Sequence, residues 1–343
     1  MKGLKIIEGG LFTTIQDGGR KGYLAMGITS SGAMDLESMK IANAIVGNDY
    51  DEGLLEITLM GPKIEFQCYS NIALTGANIS AKINGYTVPI YQCLFVKPGD
   101  ILTFGARLSG SRAYMAIRNG FKVDEVMASK STNVMAAFGG FKGRKLQAGD
   151  FLEIVEESRN IRVARFDYRE LYMWEDITKI RVVSASEEGR FTPEGLKTFY
   201  GAKYKVSNDS NRMGIRLSGK KIDHMRSADI ISSPIAIGTV QVPENGQPII
   251  MMSDRQTTGG YTRIATVISI DLPRVAQLVP GEEMSFETIT VEEAQEIAIW
   301  RRSRIDFFIA EMEKRECEVK STSNFNIGIN GNTYSVMVQE LEK

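Results

Sequence analysis

Histidine is almost absent from this chain: among 343 residues there is one, His224. A zinc centre built from several imidazoles is therefore excluded, and a serine triad would have this one base to use. His224 closes a strand-like run, IRLSGKKIDH, where a structural role outweighs a catalytic one. Acid–base work falls to carboxylates, lysines or bound water. Cysteine is scarce too. Cys68, Cys93 and Cys317 are odd in number and far apart, which suits buried free thiols and not a disulfide framework or a CxxC metal site. No metal site is expected. The net charge of -1 gives no field that would recruit nucleic acid. No apolar stretch approaches the roughly 20 residues a membrane helix needs. The opening MKGLKIIEGGLFTTIQDGGR lacks an apolar core of signal-peptide length, so a cytoplasmic location is expected.

What is present reads as strands. Hydrophobic residues make up 43% and charged residues 24%, the balance of a soluble globular protein, and the length admits two domains. Short alternating or β-branched runs recur at LLEITLMG, IALTG, KIRVVSA, GIRLSG, PIIMM and ATVISI, separated by Gly, Pro, Asn and Asp. Asn84-Gly85 inside KINGYTV is a hairpin signal. Many short strands with few helices predict barrels or sandwiches. A helix is expected over 35–46, with Asp35 as N-cap and Gly47 as its stop. A second is expected over 291–315, opened by the capping box Thr290-x-x-Glu293, with Ala294, Ile297, Ile305, Phe308, Ile309 and Met312 on one face. A polar linker, CEVKSTSN, and a hairpin around Asn330-Gly331 follow.

The sequence also repeats itself. EITLMGPKIEF (56–66) aligns without gaps to GIRLSGKKIDH (214–224), KPGDILTF (97–104) resembles VPGEEMSF (279–286), and LKIIEGG (4–10) pairs with IRVVSAS (180–186). The shared order predicts a duplicated β unit, with chance similarity between strands as the alternative. Extra residues in the second half fall in or near QVPENGQPIIMMSDRQTTGGYT, the kind of added loop that carries function.

GIRLSGKK (214–221) is the nearest match to a phosphate loop, but Lys221 stands where Ser or Thr should hold magnesium, and the interior alternates like a strand. GGFKGR (139–144) suits either an anion-binding nest or a tight turn. Three segments place polar groups beside glycine: TTIQDGGRKG with Gln16, Asp17 and Arg20, SSGAMD leading to Asp35, and MMSDRQTTGGYT with Asp254, Arg255, Gln256 and Thr257. Together with Asn43 they are expected to share one cleft. Asp17, Asp35 and Asp254 are the candidates for acid–base or water-positioning roles. Gln16, Arg20, Asn43, Arg255, Gln256 and Thr257 are candidates for substrate binding, the arginines as anion binders. The alternative for Asp17 and Arg20 is a local pair that staples a turn.

TTIQDGGR, SGAMD, ANAIVGN, LEITLMGP, SNRMGIRLSG, GTVQVPENGQPII and DRQTTGGY resemble, in order and spacing over about residues 3–300, the motifs of the allophanate hydrolase subunit 2 family. Its members include the C subunit of 5-oxoprolinase, antagonists of a kinase inhibitor, and proteins similar to the carboxyltransferase part of urea carboxylase. The resemblance implies two tandem cyclophilin-like β-barrel subdomains, here at 1–175 and 176–290, then a helix at 291–316 and a linker and hairpin tail at 317–343. It implies two partners, the 5-oxoprolinase B and A subunits, the B subunit being of related fold. Small departures are Asn119 for a usual Gly, and Ala128 and Lys130 for Gly and Arg. INGNTYSVMVQEL in the tail resembles the first strands of biotin-carrier domains, but no Met-Lys-Met site follows, so no covalent biotin is expected on this chain.

Three functions stay open at this point. One is ATP-dependent opening of the 5-oxoproline lactam to glutamate, with ATP used at the level of the complex. Another is carboxyl transfer from carboxybiotin, carried by a separate protein, to a small amide. The last is non-catalytic binding of a kinase inhibitor. A fold by itself does not choose among them.

Overall fold

The computed structural model describes residues 2–167, 179–312 and 314–342. The chain is mainly β, with two β subdomains, a long helix after them, and a hairpin ribbon last. The expected boundary at 175/176 lies outside the described residues.

The first subdomain is a six-stranded sheet on a five-stranded one. Gly3–Glu8, Lys63–Phe66 and Ile101–Thr103 carry alternating side chains, so Leu4, Ile6, Ile64, Phe66 and Leu102 turn to one face. There they meet Ile15, Ile57, Leu74, Met115 and Ile117 from Phe12–Gln16, Leu54–Thr58, Ser70–Asn78 and Ser109–Ile117. Burying each such side chain contributes about 1.5–3 kcal/mol relative to exposure.

The second subdomain closes. Its seven strands run in the order Lys179–Ser184, Arg263–Val267, Thr239–Gln241, Ile249–Met251, Gly214–Ser218, Tyr204–Val206, Glu283–Thr288. Parallel pairing of Lys179–Ser184 with Glu283–Thr288 completes the ring, and closure leaves no free sheet edge. Phe199, from the Pro193–Gly201 helix, stacks on Phe286 inside it at 4.3 Å between ring centroids. GIRLSGKK begins as barrel strand, not as a phosphate loop. His224 is structural: its Nε2 lies 3.1 Å from the Val242 carbonyl and 2.9 Å from Thr262 Oγ1, with the ring on Phe191.

The helix Leu36–Val46 starts where expected. Asp35 accepts from the Ser38 N–H, and Gly47 ends the helix at φ 83°, a conformation that glycine adopts without strain. Its buried face packs against the long helix Val291–Glu311 through Ile41, Ile45, Ile305 and Ile309. The capping box of Thr290 and Glu293 is formed. Arg301 interrupts the apolar stripe of that helix and pairs with Glu37 at 2.8 Å.

Two expectations change. CEVKSTSN is not a linker: it lies in the strand Lys314–Ile329, which pairs first with Ile161–Ala164 and then with Asn332–Glu342. The helix accordingly stops at Glu311. The edge of Ile161–Ala164 would otherwise leave backbone groups unpaired, and the tail covers them. Nor do the halves repeat strand for strand. Ile101–Thr103 pairs with the strand that follows Gly61, whereas Glu283–Thr288 pairs with Lys179–Ser184 and Tyr204–Val206. What the two glycines share is local, since a Cβ at Gly61 would overlap Phe104 and one at Gly219 would overlap Tyr204.

Candidate functional site

The three polar segments meet at the seam between the subdomains. The stretch 30–35 is the middle layer. On one side the Arg20 N–H donates to the Ser30 carbonyl at 2.7 Å, Ala33 N–H to the Asp17 carbonyl at 2.8 Å, and Gly32 N–H to Gln16 Oε1 at 3.1 Å. On the other, Arg255 Nη1 reaches Ser30 Oγ at 3.4 Å, Ser253 Oγ donates to the Ala33 carbonyl at 3.4 Å, and Thr29 Oγ1 donates to the Ser253 carbonyl at 3.3 Å. Chain segments more than 200 residues apart in sequence are tied here through one short strap.

Asp17 is an anchor. One carboxylate oxygen accepts from Gly19 N–H at 2.8 Å, Ser129 Oγ at 2.7 Å and Ser131 Oγ at 2.5 Å; the other accepts from Lys130 N–H at 2.5 Å. The two oxygens together hold loop 129–131. Arg20 does not pair with Asp17 directly. Its Nε donates to the Val126 carbonyl at 3.1 Å, its Nη2 to the Ser131 carbonyl, and its Nη1 is buried with no acceptor. Burial holds this guanidinium below the usual arginine range, against the opposing pull of Asp17 and Asp254. Arg255, also buried, bonds the Ile235 carbonyl at 3.0 Å and meets no carboxylate among the described residues; burial lowers its pKa too. Arg112 is a third such group, its Nη1 donating to the Ala276 carbonyl across the seam and its pKa lowered by burial. Among the described residues the seam therefore holds three desolvated guanidiniums without a direct counter-ion, a setting that favours an anion.

Asp254 is paired. Arg212 binds it through Nε at 2.8 Å and Nη2 at 3.2 Å, and the same guanidinium donates to Glu56 and to the Gly32 carbonyl at 2.7 Å. Burial works to lower the Arg212 pKa, but Asp254 and Glu56 outweigh it and raise it. Glu56 in turn accepts from Tyr114 Oη at 2.9 Å and Met34 N–H at 2.7 Å. Asp35 caps the helix and accepts from Ser38 Oγ at 2.7 Å and Gln277 Nε2 at 2.8 Å; burial raises its pKa. Gln277 crosses the seam as well, accepting from the N–H groups of Ser111 and Arg112 at 3.0 Å each.

Of the residues expected at the site, Gln16, Asp17, Arg20, Asp35, Asp254 and Arg255 come together. Gln16 is consumed by Thr14 and the Thr132 carbonyl. Gln256 is exposed and Thr257 half-buried at the rim. Asn43 stands apart: it holds the Glu52 carbonyl at 2.8 Å and accepts from Asn48, fixing the turn after the helix. The polar groups do not line the neighbouring cleft of about 670 Å³. Gly18, Lys21, Met34, Asp51, Leu272 and Ile305 are among the residues that do. Sequence reasoning missed Arg212, Glu56, Tyr114 and Gln277. Glu56 had a signal, a lone charge inside the apolar run LLEITL; Arg212, in the turn-like SNRMG, had none. Two of the departures, Asn119 and Ala128, sit at φ 65° and 54°, where glycine would be unstrained.

The fold and the seam define a two-part β protein whose polar machinery lies between its parts. Residues 26–288 match the family described as carboxyltransferase domain, subdomain A and B, and the chain belongs to that family. It is 39% identical over 291 residues to the C subunit of 5-oxoprolinase from Escherichia coli (strain K12), covering 85% of this chain and 93% of that protein. It is 32% identical over 327 residues to the urea amidolyase of Saccharomyces cerevisiae, covering 86% of this chain but 17% of that one. The crystal structure of the K. lactis urea amidolyase is similar at a TM-score of 0.82 and 31% identity, over 90% of this chain and 20% of that one. Among the described residues, no helix is long and apolar enough to cross a membrane.

Proposed function

We propose that the chain is the C subunit of a 5-oxoprolinase complex, which opens the 5-oxoproline lactam to glutamate at the expense of ATP. The carrying observation is length. The match to the Escherichia coli protein takes in 93% of it, whereas the yeast urea amidolyase is matched over 17% of its length. A lactam carbonyl is a poor electrophile. Transfer of the ATP γ-phosphoryl to its oxygen activates the carbon; water then adds there, the C–N bond breaks, and a second water hydrolyses the acyl phosphate. Glutamate, ADP and phosphate result. Both substrate and intermediate are anionic, which suits Arg20 and Arg255, two seam cations that meet carbonyls and not carboxylates. Asp254, oriented by Arg212 and less buried than Asp17 or Asp35, is the carboxylate we assign to position water, with Gln256 and Thr257 beside it as further substrate contacts. Asp17 and Asp35 act as positioning groups, because their oxygens are taken by the loop 129–131 and the helix N-terminus.

The 5-oxoprolinase A and B subunits are the partners of this reading, and ATP is used by the assembly in the cytoplasm. The test is reconstitution of both partners and this chain with 5-oxoproline and ATP. Glutamate formed only when all three are present supports the reading; full activity without this chain sinks it. A second reading, carboxyl transfer from carboxybiotin on a separate carrier to an amide nitrogen, is favoured by the family and by the K. lactis fold. It requires transfer in a mixture with a biotin carboxylase and carrier and no dependence on 5-oxoproline.

A further inference from the structure

Beneath the seam, the loop 137–143 has an unusual backbone. Ala137, Gly139, Gly140, Lys142 and Gly143 have φ of 54°, 70°, 52°, 56° and 65°. Only Phe138 and Phe141 interrupt this run of left-handed residues, and successive backbone N–H groups in turns of this kind can form concavities that bind anions. Among the described residues, the N–H groups of Gly139, Gly140, Phe141 and Lys142 meet no acceptor; those of the flanking Phe138, Gly143 and Arg144 are bonded to backbone carbonyls. The loop is not closed off, since Gly139, Gly140 and Phe141 are partly exposed and Lys142 is exposed.

Loop shape alone would not define a ligand site. The independent observation is Arg20. It is 1% exposed, its Nη1 has no acceptor, and its Cζ sits 4.6 Å from the centroid of Phe138, the residue that leads into the loop. A Cβ at Gly139 would overlap Arg20 Nη2, and one at Gly140 would overlap Thr132 Oγ1. The two glycines therefore let the loop backbone pack directly against the buried Arg20 guanidinium and Thr132, and among the described residues Arg20 meets no carboxylate.

We propose that loop 137–143 and Arg20 form a binding site for a phosphate group, with the N–H groups of Gly139 to Lys142 as ligands and the Arg20 guanidinium as the charge beneath them. Phosphate fits better than a carboxylate because four unbonded N–H donors and a guanidinium are better matched by an acceptor with more than two oxygens. Lys142 is exposed beside these groups, with its ammonium 5.1 Å from the centroid of the Phe141 ring. The phosphate could come from a nucleotide or as the inorganic ion, and both share this chemistry. Phosphate binding at this loop is independent of the proposed reaction and involves the isolated chain and phosphate alone.

The test is an amide-resolved NMR titration of the full-length chain with inorganic phosphate, then with ATP and ADP in separate arms. Saturable shifts centred on Gly139, Gly140, Phe141 and Lys142, with a Kd of about 1 mM or tighter, are expected. Arg20→Gln should weaken binding at least tenfold and Lys142→Gly only severalfold. Stronger binding in the ATP arm assigns the group to a nucleotide, and stronger binding of inorganic phosphate assigns it to the free ion; either supports the site. No saturable shift in wild type, shifts that map elsewhere, or a folded Arg20→Gln variant with unchanged affinity would overturn it. Since the wild-type map alone can refute the site, the test survives a variant that fails to fold. Failure here leaves the reconstitution assay untouched, and failure of that assay leaves the titration untouched.

Discussion

Arg212 of the barrel and Glu56 of the first subdomain form an ion pair across the seam, with 7% and 1% of their side-chain surfaces exposed. Asp254 completes a triad on the same guanidinium. A buried pair of this kind adds little over an apolar contact of the same shape, but breaking one partner leaves charge stranded. Arg212→Met is therefore expected to destabilise the protein by about 3–5 kcal/mol, because two carboxylates lose their counter-charge at once. Urea denaturation checks this; a loss under about 1 kcal/mol would mean that Glu56 and Asp254 find other partners or protonate without penalty.

Asp254→Ala and Arg255→Ala should separate cleanly. Each is expected to lower activity of the reconstituted complex at least about tenfold, roughly 1.4 kcal/mol of transition-state stabilisation. Arg255 meets carbonyls and one hydroxyl, so its loss should leave the thermal midpoint close to wild type. Asp254 holds Arg212, so its removal should lower that midpoint as well. Full activity in both variants removes the 254–257 loop from the site, and lost binding to the B subunit places it in the interface.

Asp35 offers a pH test. Its folded pKa is raised, chiefly by burial, so the folded state keeps this proton at pH values where the unfolded chain has released it. Stability from this group is present below the ordinary carboxylate pKa of about 3.9 and is lost as pH rises through the raised value. Asn is also a good N-cap, so Asp35→Asn should keep the helix start and remove that slope. Wild type should lose stability relative to the variant as pH rises from about 4. A constant difference between the two across that range counts against it.

The tail divides at a definite place. Residues 314–317 pair with Ile161–Ala164, whereas the rest of the ribbon pairs with itself. Truncation after Lys320 should leave the thermal midpoint nearly unchanged. Truncation after Met312 should lower it, because it uncovers a sheet edge and removes the buried Cys317. Equal midpoints for the two truncations would show that the pairing with Ile161–Ala164 contributes nothing.

Much of the architecture was already legible in the residues. Asp35 and Gly47 bracket a helix, Thr290 and Glu293 open another, and the Asn84-Gly85 and Asn330-Gly331 turns place both residues at positive φ. These depend on interactions within a few residues, which local chemistry determines. The three glycine-flanked polar segments also announced themselves, because such groups are costly to bury without partners. Their roles were decided only by the tertiary structure. Asp17 looked like a base or a local partner of Arg20, and became the anchor of a loop more than 100 residues away. Asp254 looked free and is held by Arg212, while Asn43 was drawn off to a turn. The repeat seen in sequence survives as shared packing around Gly61 and Gly219, not as shared strand pairing. Strand partners and buried ion pairs depend on which distant segments the core brings together, and no local pattern of side chains specifies that.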